Sequence, residues 1–253
     1  MREPVAYSCA SDSEKNCLSP HLKKQWCIGT MDSQFLARME QILALYALPY
    51  SEQYPVVCFD ERPCFLIGDH VAGLEMKAGQ VARQHYAYEK NGSCALLMAI
   101  EPRTAKRLAL IFDQRTKREY ALFMKALAGK YPQAEKIRVV QDSLNTHSIS
   151  SFYETFSAEE AFSLSQRFEF YYTPKSASWL NMIEIEFAAL SKQCLSRRIA
   201  TKEELTREVL TIVKEREERA IKIDWQFSIE SARNKLNRHY REVNAENAQY
   251  QKT

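Results

Sequence analysis

The chain has 253 residues, of which 45% are hydrophobic, 11% aromatic and 26% charged, with 6 Gly and 8 Pro. That apolar content suffices for one large domain or two small ones, and the Gly and Pro counts exclude collagen-like or long low-complexity segments. A net charge of +3 is compatible with a nucleic-acid partner without establishing one, and nowhere do about 18 consecutive apolar residues occur, as a membrane span requires.

The cysteines, Cys9, Cys17, Cys27, Cys58, Cys64, Cys94 and Cys194, are odd in number and form no CxxC pair, which points to a reduced cytoplasmic setting and to no zinc site. The N-terminal stretch has no apolar segment of signal-peptide length, so a cytoplasmic protein is expected. Basic clusters occur at Arg103–Arg107, Arg115–Arg118, Lys192–Arg198 and Arg233–Arg241, and their ordinary reading is solvated faces.

Taken in chain order, residues 1–30 lack periodicity and read as a connector remnant. From Asp32 the pattern is helical: Phe35, Met39, Ile42, Leu43 and Tyr46 recur at helical spacing, Asp32 or Ser33 can cap the start, and Pro49 ends the run. Val56–Asp60 and Cys64–Ile67 are apolar runs divided by Arg62-Pro63, predicting a bent or hairpin pair. Cys94–Ile100 and Leu108–Phe112, joined by the polar link Glu101–Arg107, predict a second hairpin.

A helix is predicted over Thr116–Lys130 and a strand over Lys136–Asp142. Ser157–Arg167 follows as a helix behind a Ser cap, then Phe168–Thr173 as an aromatic strand and Ser178–Leu195 as a long amphipathic helix. Thr201–Ala220 is a helix capped by Thr201 with Glu204 three residues on, and Phe227–Tyr240 is a last basic helix with no obvious place in a sheet. Antiparallel strands followed by helix–strand alternation predict an α/β fold, a mixed sheet with helices on its faces.

Enzymes that break or make phosphodiester bonds commonly use two divalent cations held by carboxylates at strand ends or on a helix edge. Asp60 closes the run Val56–Phe59, and Asp142 closes Ile137–Gln141. Each alone reads equally as a turn residue, as Asp69 and Asp113 after other apolar runs illustrate. On a helical wheel Leu180, Ile183, Phe187, Leu190 and Cys194 form a core stripe, flanked on opposite sides by Glu184 and Glu186. Periodicity does not choose between these two glutamates, although Asn181 shares Glu184's side.

Asp60-Glu61, then Gln141-Asp142-Ser143-Leu144-Asn145-Thr146-His147, then Thr173-Pro174-Lys175-Ser176-Ala177-Ser178-Trp179-Leu180-Asn181-Met182-Ile183-Glu184 stand in one order along the chain. Together they resemble the DDE transposases of bacterial insertion sequences in the mariner-like superfamily, specifically the insertion sequence six-thirty family. The resemblance implies a ribonuclease-H-like mixed five-stranded sheet flanked by helices over residues 31–226, with residues 227–253 a C-terminal basic helix and tail. It implies catalytic and metal-holding roles for Asp60, Asp142 and Glu184 with two Mg²⁺ or Mn²⁺ ions, and selects Glu184 over Glu186. The implied reaction is DNA strand cleavage by an activated water, then attack of the freed 3′ hydroxyl on target DNA.

The implied partners are transposon-end and target DNA, with the chain a homodimer on DNA and no membrane contact. Expected DNA contacts are His147, Lys175, Trp179, Asn181, Arg197 and Arg198, through phosphates and stacked bases. Two departures from the family stand out. Ser143 occupies a position where the family usually has Asn. The region ahead of the first helix is also too short for the family's helix-turn-helix module, so an upstream frame joined by frameshifting could supply that partner, or the chain is a remnant. The competing expectations are a regulatory fragment that binds DNA or full-length transposase without catalysis, and a different ribonuclease-H-like nuclease such as a resolvase.

Overall fold

The computed structural model describes residues 31–249 apart from 72, 75, 76, 82 and 84, so the connector expected over 1–30 lies outside the described residues. The first helix among the described residues, α1 (Ser33–Ala47), begins where the Asp32 carboxylate accepts the Phe35 amide at 2.7 Å, as an N-cap should. Its buried stripe is Leu36, Met39, Ile42, Leu43, Leu45 and Tyr46, with Phe35 turned half outward.

Strand β1 (Val56–Asp69) runs without a break through Arg62-Pro63, where a hairpin or bend was expected. The reason is the partner on each side. β2 (Tyr88–Ile100) pairs antiparallel with β1 from Cys58 to Asp69, whereas β4 (Ile137–Gln141) pairs parallel only with Val56–Cys58. Pro63 therefore lies on a stretch with one edge unpaired, where a missing N–H is tolerated. A bulge between Leu66 and Ile67 is met on β2 by Gly92, whose φ of 112° favours glycine.

β3 (Arg107–Phe112) completes the predicted second hairpin with β2, and β5 (Phe168–Tyr172) adds parallel to β4. The sheet order is β3-β2-β1-β4-β5, the mixed five-stranded sheet expected. Helix α2 (Lys117–Lys130) starts at a capping box in which Thr116 and Glu119 satisfy each other's backbone. Helices α3 (Ser150–Thr155) and α4 (Ala158–Ser165) follow β4, the first of them absent from the sequence reading because six residues carry too little periodicity.

The predicted long helix Ser178–Leu195 is divided. A 3-10 turn (Ser178–Leu180) is separated by Asn181 and Met182 from α5 (Ile183–Gln193). The side chain of Asn181 leaves the helical pattern to donate to the Phe59 carbonyl at 2.8 Å, so it serves β1 rather than the face of α5. α6 (Lys202–Glu218) is capped by Thr201 as expected. The last basic helix is two, α7 (Ile229–Lys235) and α8 (Asn237–Val243), broken at Leu236, and it has a place: Arg233 and Tyr240 bind Glu40 on α1.

Two apolar cores lie on the two faces of the sheet. One combines Cys58, Leu96, Met98 and Val140 with residues of α1, α5 and α6, and the other combines Val57, Phe59, Leu97 and Val139 with residues of α2 to α4. The alternation along β1 is what makes one strand feed both. Cys58, Cys64, Cys94 and Cys194 are buried free thiols. Among the described residues no helix is long and apolar enough to cross a membrane.

Candidate active site

The alternation that sends Val57 and Phe59 to one core and Cys58 to the other directs Asp60 to the α5 face and Glu61 to the α2 face. Asp142 follows the last residue of β4, and Asp60 lies within β1 just beyond Val56–Cys58, the stretch that pairs parallel with β4. Glu184 stands in the first turn of α5, its backbone N–H bonded to the Asn181 carbonyl at 3.2 Å. Because Asn181 also grips the Phe59 carbonyl, the start of α5 is tied to β1 one residue before Asp60.

The charges of Asp142 and Glu184 both reach Asp60. Burial, with the charges of Asp142 and Glu184 adding to it, pushes the Asp60 carboxyl up to about 7, although the Glu61 amide donates to it at 2.8 Å. Asp142 goes the other way: burial would raise it, but the His147 ring nitrogen Nδ1 at 2.5 Å and the charge of that ring hold it below its ordinary value. His147 is buried between Phe59 and Tyr120, and burial would lower its pKa. The carboxylates of Asp142 and Glu61 overcome that and raise it to about 9, Glu61 lying 3.7 Å from Nε2.

Three carboxylates, two of whose charges reach a buried Asp60, are hard oxygen donors, the chemistry that suits Mg²⁺ or Mn²⁺, so the residues present fit such an ion. Among the described residues no three Asp, Glu, His or Cys side chains are already drawn into a ligand arrangement, so joint ligation needs side-chain rotation.

Glu186, the other candidate on the helix, is accounted for differently. It is fully buried and receives paired hydrogen bonds from Arg107 (2.9 and 2.9 Å) and Arg216 (3.0 and 2.9 Å). Burial would raise its carboxyl, yet these guanidinium groups hold it below the ordinary value. Arg107 is thus the exception to the expectation that the basic clusters form solvated faces: it is fully buried. The comparison acids behave as ordinary partners too, Asp69 pairing with Arg198 and Asp113 with Lys202, each at 2.6 Å.

The expected DNA contacts separate into inward and outward residues. His147 and Asn181 are buried and engaged as described. Lys175 is exposed, and Trp179 is exposed with its ring edge-to-face against Phe227 at 5.5 Å. Arg197 binds Glu204 and Glu208, and Arg198 binds Asp69 and the Ala87 carbonyl. Ser143 accepts from Arg38 at 3.1 Å, a contact from α1 that no sequence pattern announces. Glu61, bridging His147 and Arg115, is a further member of the site that the sequence reading did not single out, although it directly follows Asp60.

This geometry has relatives among solved structures. The Mos1 mariner paired-end complex with Mn superposes with a TM-score of 0.52 at 14% identity, covering 94% of this chain and 69% of that one. A pre-cleavage Mos1 transpososome gives 0.52 at 13% identity over 94% and 69%, and the Mos1 strand transfer complex 0.53 at 12% identity over 94% and 68%. At such identities the likeness concerns the fold: the mixed sheet with its flanking helices is that of the ribonuclease-H-like catalytic domain of the Mos1 transposase. A comparison with curated proteins finds no match. The sequence profile of the DDE superfamily endonucleases matches residues 55–206, which carry Asp60, Asp142 and Glu184, and the chain belongs to that superfamily.

Proposed function

We propose that this chain is the catalytic core of a transposase of the insertion sequence six-thirty family, cutting DNA at the ends of an insertion sequence and joining the freed 3′ hydroxyl to target DNA. The observation that carries the reading is that Asp60, at the β1 residue next to the Asn181–Phe59 tether of α5, lies within reach of the charges of both Asp142 and Glu184. On this reading residues 31–226 are the catalytic domain and residues 227–253 an appended basic segment, and the chain works in the cytoplasm as a homodimer because two ends must be brought together.

When bound, two Mg²⁺ or Mn²⁺ ions supply Lewis acidity and charge neutralisation at a phosphodiester. Asp60, Asp142 and Glu184 are the residues that would hold them. His147 orients the Asp142 carboxylate through Nδ1 and is itself packed between aromatic rings, so that carboxylate is presented in one pose. Asn181 fixes the distance between the Glu184 helix and the Asp60 strand. On this reading the exposed Lys175 and the open face of Trp179 meet a phosphate and an unpaired base beside the cut. That the similar Mos1 structures are paired-end and strand transfer complexes, one of them with Mn, supports DNA as the partner and a divalent cation as the cofactor.

The test is cleavage and strand transfer of inverted-repeat DNA with Mg²⁺ or Mn²⁺, with and without a fused helix-turn-helix module, comparing wild type with Asp142→Ala. The reading requires metal-dependent products that disappear with Asp142→Ala. Equal cutting by the variant would refute it.

A further inference from the structure

Glu184 stands in the first turn of α5, which Asn181 ties to β1 one residue before Asp60, and where its side chain reaches depends on the rotation of α5 about its own axis. Side-chain heads lie some 5–6 Å from a helix axis, so a rotation of about 30° carries one by roughly 3 Å. Metal ligation tolerates on the order of 0.2 Å. The apolar side of α5, through Ile183, Phe187 and Leu190, sets the orientation coarsely, since apolar contact is non-directional.

Glu186 supplies the missing direction. Its two oxygens accept four hydrogen bonds from the planar forks of Arg107 and Arg216, which approach from β3 and from the last turn of α6. Arg107 is itself immobilised, donating to the Ala105 carbonyl at 2.7 Å and the Ile221 carbonyl at 2.6 Å. A buried ionic cluster of this kind is a poor device for stability, because apolar side chains of similar volume commonly stabilise as well or better.

We infer that the Arg107–Glu186–Arg216 cluster is a positioning lock that fixes the rotation of α5 and thereby aims Glu184 at Asp60 and Asp142. The lock acts through Glu184 and touches no reacting atom, and it rests on the carboxylate reading given under the proposed function. Arg216→Lys keeps the charge and removes the fork. The triple replacement Arg107→Met, Glu186→Leu, Arg216→Met keeps the volume and removes the direction.

The experiment is calorimetric titration of Mn²⁺ into wild type, Arg216→Lys, the triple variant and Glu184→Gln, each confirmed as folded by circular dichroism well below its melting temperature. The lock predicts Mn²⁺ affinity about tenfold weaker for Arg216→Lys, and equally weakened for the triple variant even where its melting temperature matches wild type. Wild-type affinity in either folded lock variant, with affinity lost in Glu184→Gln, overturns the lock alone. Wild-type affinity in Glu184→Gln overturns the carboxylate reading and the lock with it.

Discussion

Glu184 and Glu186, two positions apart on one helix, meet opposite surroundings: Glu184 adds its charge to the crowding that raises Asp60, while Glu186 is sealed between two guanidinium groups. Their neutral variants should therefore separate activity from stability. Glu184→Gln is expected to abolish metal-dependent nicking and leave the melting temperature unchanged or raised. Glu186→Gln leaves the buried Arg107 and the partly exposed Arg216 without their anion and should cost about 3 kcal/mol in urea denaturation. Similar melting behaviour of the two would show that the buried cluster is not what the contacts imply.

Asp60 carries a charge that the metal-free fold disfavours. An acid whose pKa is raised from 3.8 to about 7 destabilises the fold once it ionises, by at most about 4 kcal/mol. The cost is absent below pH 4, grows between pH 4 and 7 and is constant above. Asp60→Asn should thus stabilise the metal-free protein at pH 8, by roughly 2 kcal/mol after allowing for the amide's own desolvation, and the gain should vanish as the pH approaches 4. A variant less stable than wild type at pH 8 would contradict this.

Glu40 offers the opposite sign. The Arg233 hydrogen bonds, against an opposing burial effect and with help from Tyr240, hold its carboxyl below the ordinary value of 4.5. Its contribution to stability is present above pH 4.5 and is lost as pH falls through the lower folded value. Glu40→Gln should cost about 1 kcal/mol at neutral pH, since the pair is partly exposed, and progressively less as the pH falls below 4.5. Chemical denaturation curves in a series from about pH 7 downward measure the trend, and a penalty that does not shrink as Glu40 becomes protonated would place the effect elsewhere.

Asn181→Ala removes the donor to a buried carbonyl and should cost about 2 kcal/mol of stability. Because that bond spaces α5 from β1, nicking should fall by more than the loss of folded protein accounts for. Activity per folded molecule equal to wild type would limit Asn181 to a structural role.

The strands and most helices were legible because their apolar spacing follows period 2 or 3.6, and a mixed sheet followed from their order, its ribonuclease-H-like five-stranded form from the family resemblance. What the sequence concealed were tertiary decisions. Pro63 looks like a strand breaker until one sees that β4 leaves β1 at Cys58 and frees that edge. Asn181 looks like a helix-face residue until its side chain is found on the Phe59 carbonyl, which interrupts the helix there. Arg107 reads as a surface charge, because nothing local announces partners as distant as Glu186 and Arg216. The wheel put Glu184 and Glu186 on opposite sides of one stripe, as they are, but which side holds arginines and which holds aspartates is a property of the packed molecule.

The claim on which the account depends is that Asp60, Asp142 and Glu184 jointly hold divalent cations. Its most direct test is Mn²⁺ binding to the wild-type chain and to Asp60→Asn, Asp142→Asn and Glu184→Gln, each checked for a native circular dichroism spectrum. The account predicts saturable binding in wild type and affinity lower by at least about tenfold in every one of the three variants. Undiminished Mn²⁺ binding in any folded member of the set would contradict it.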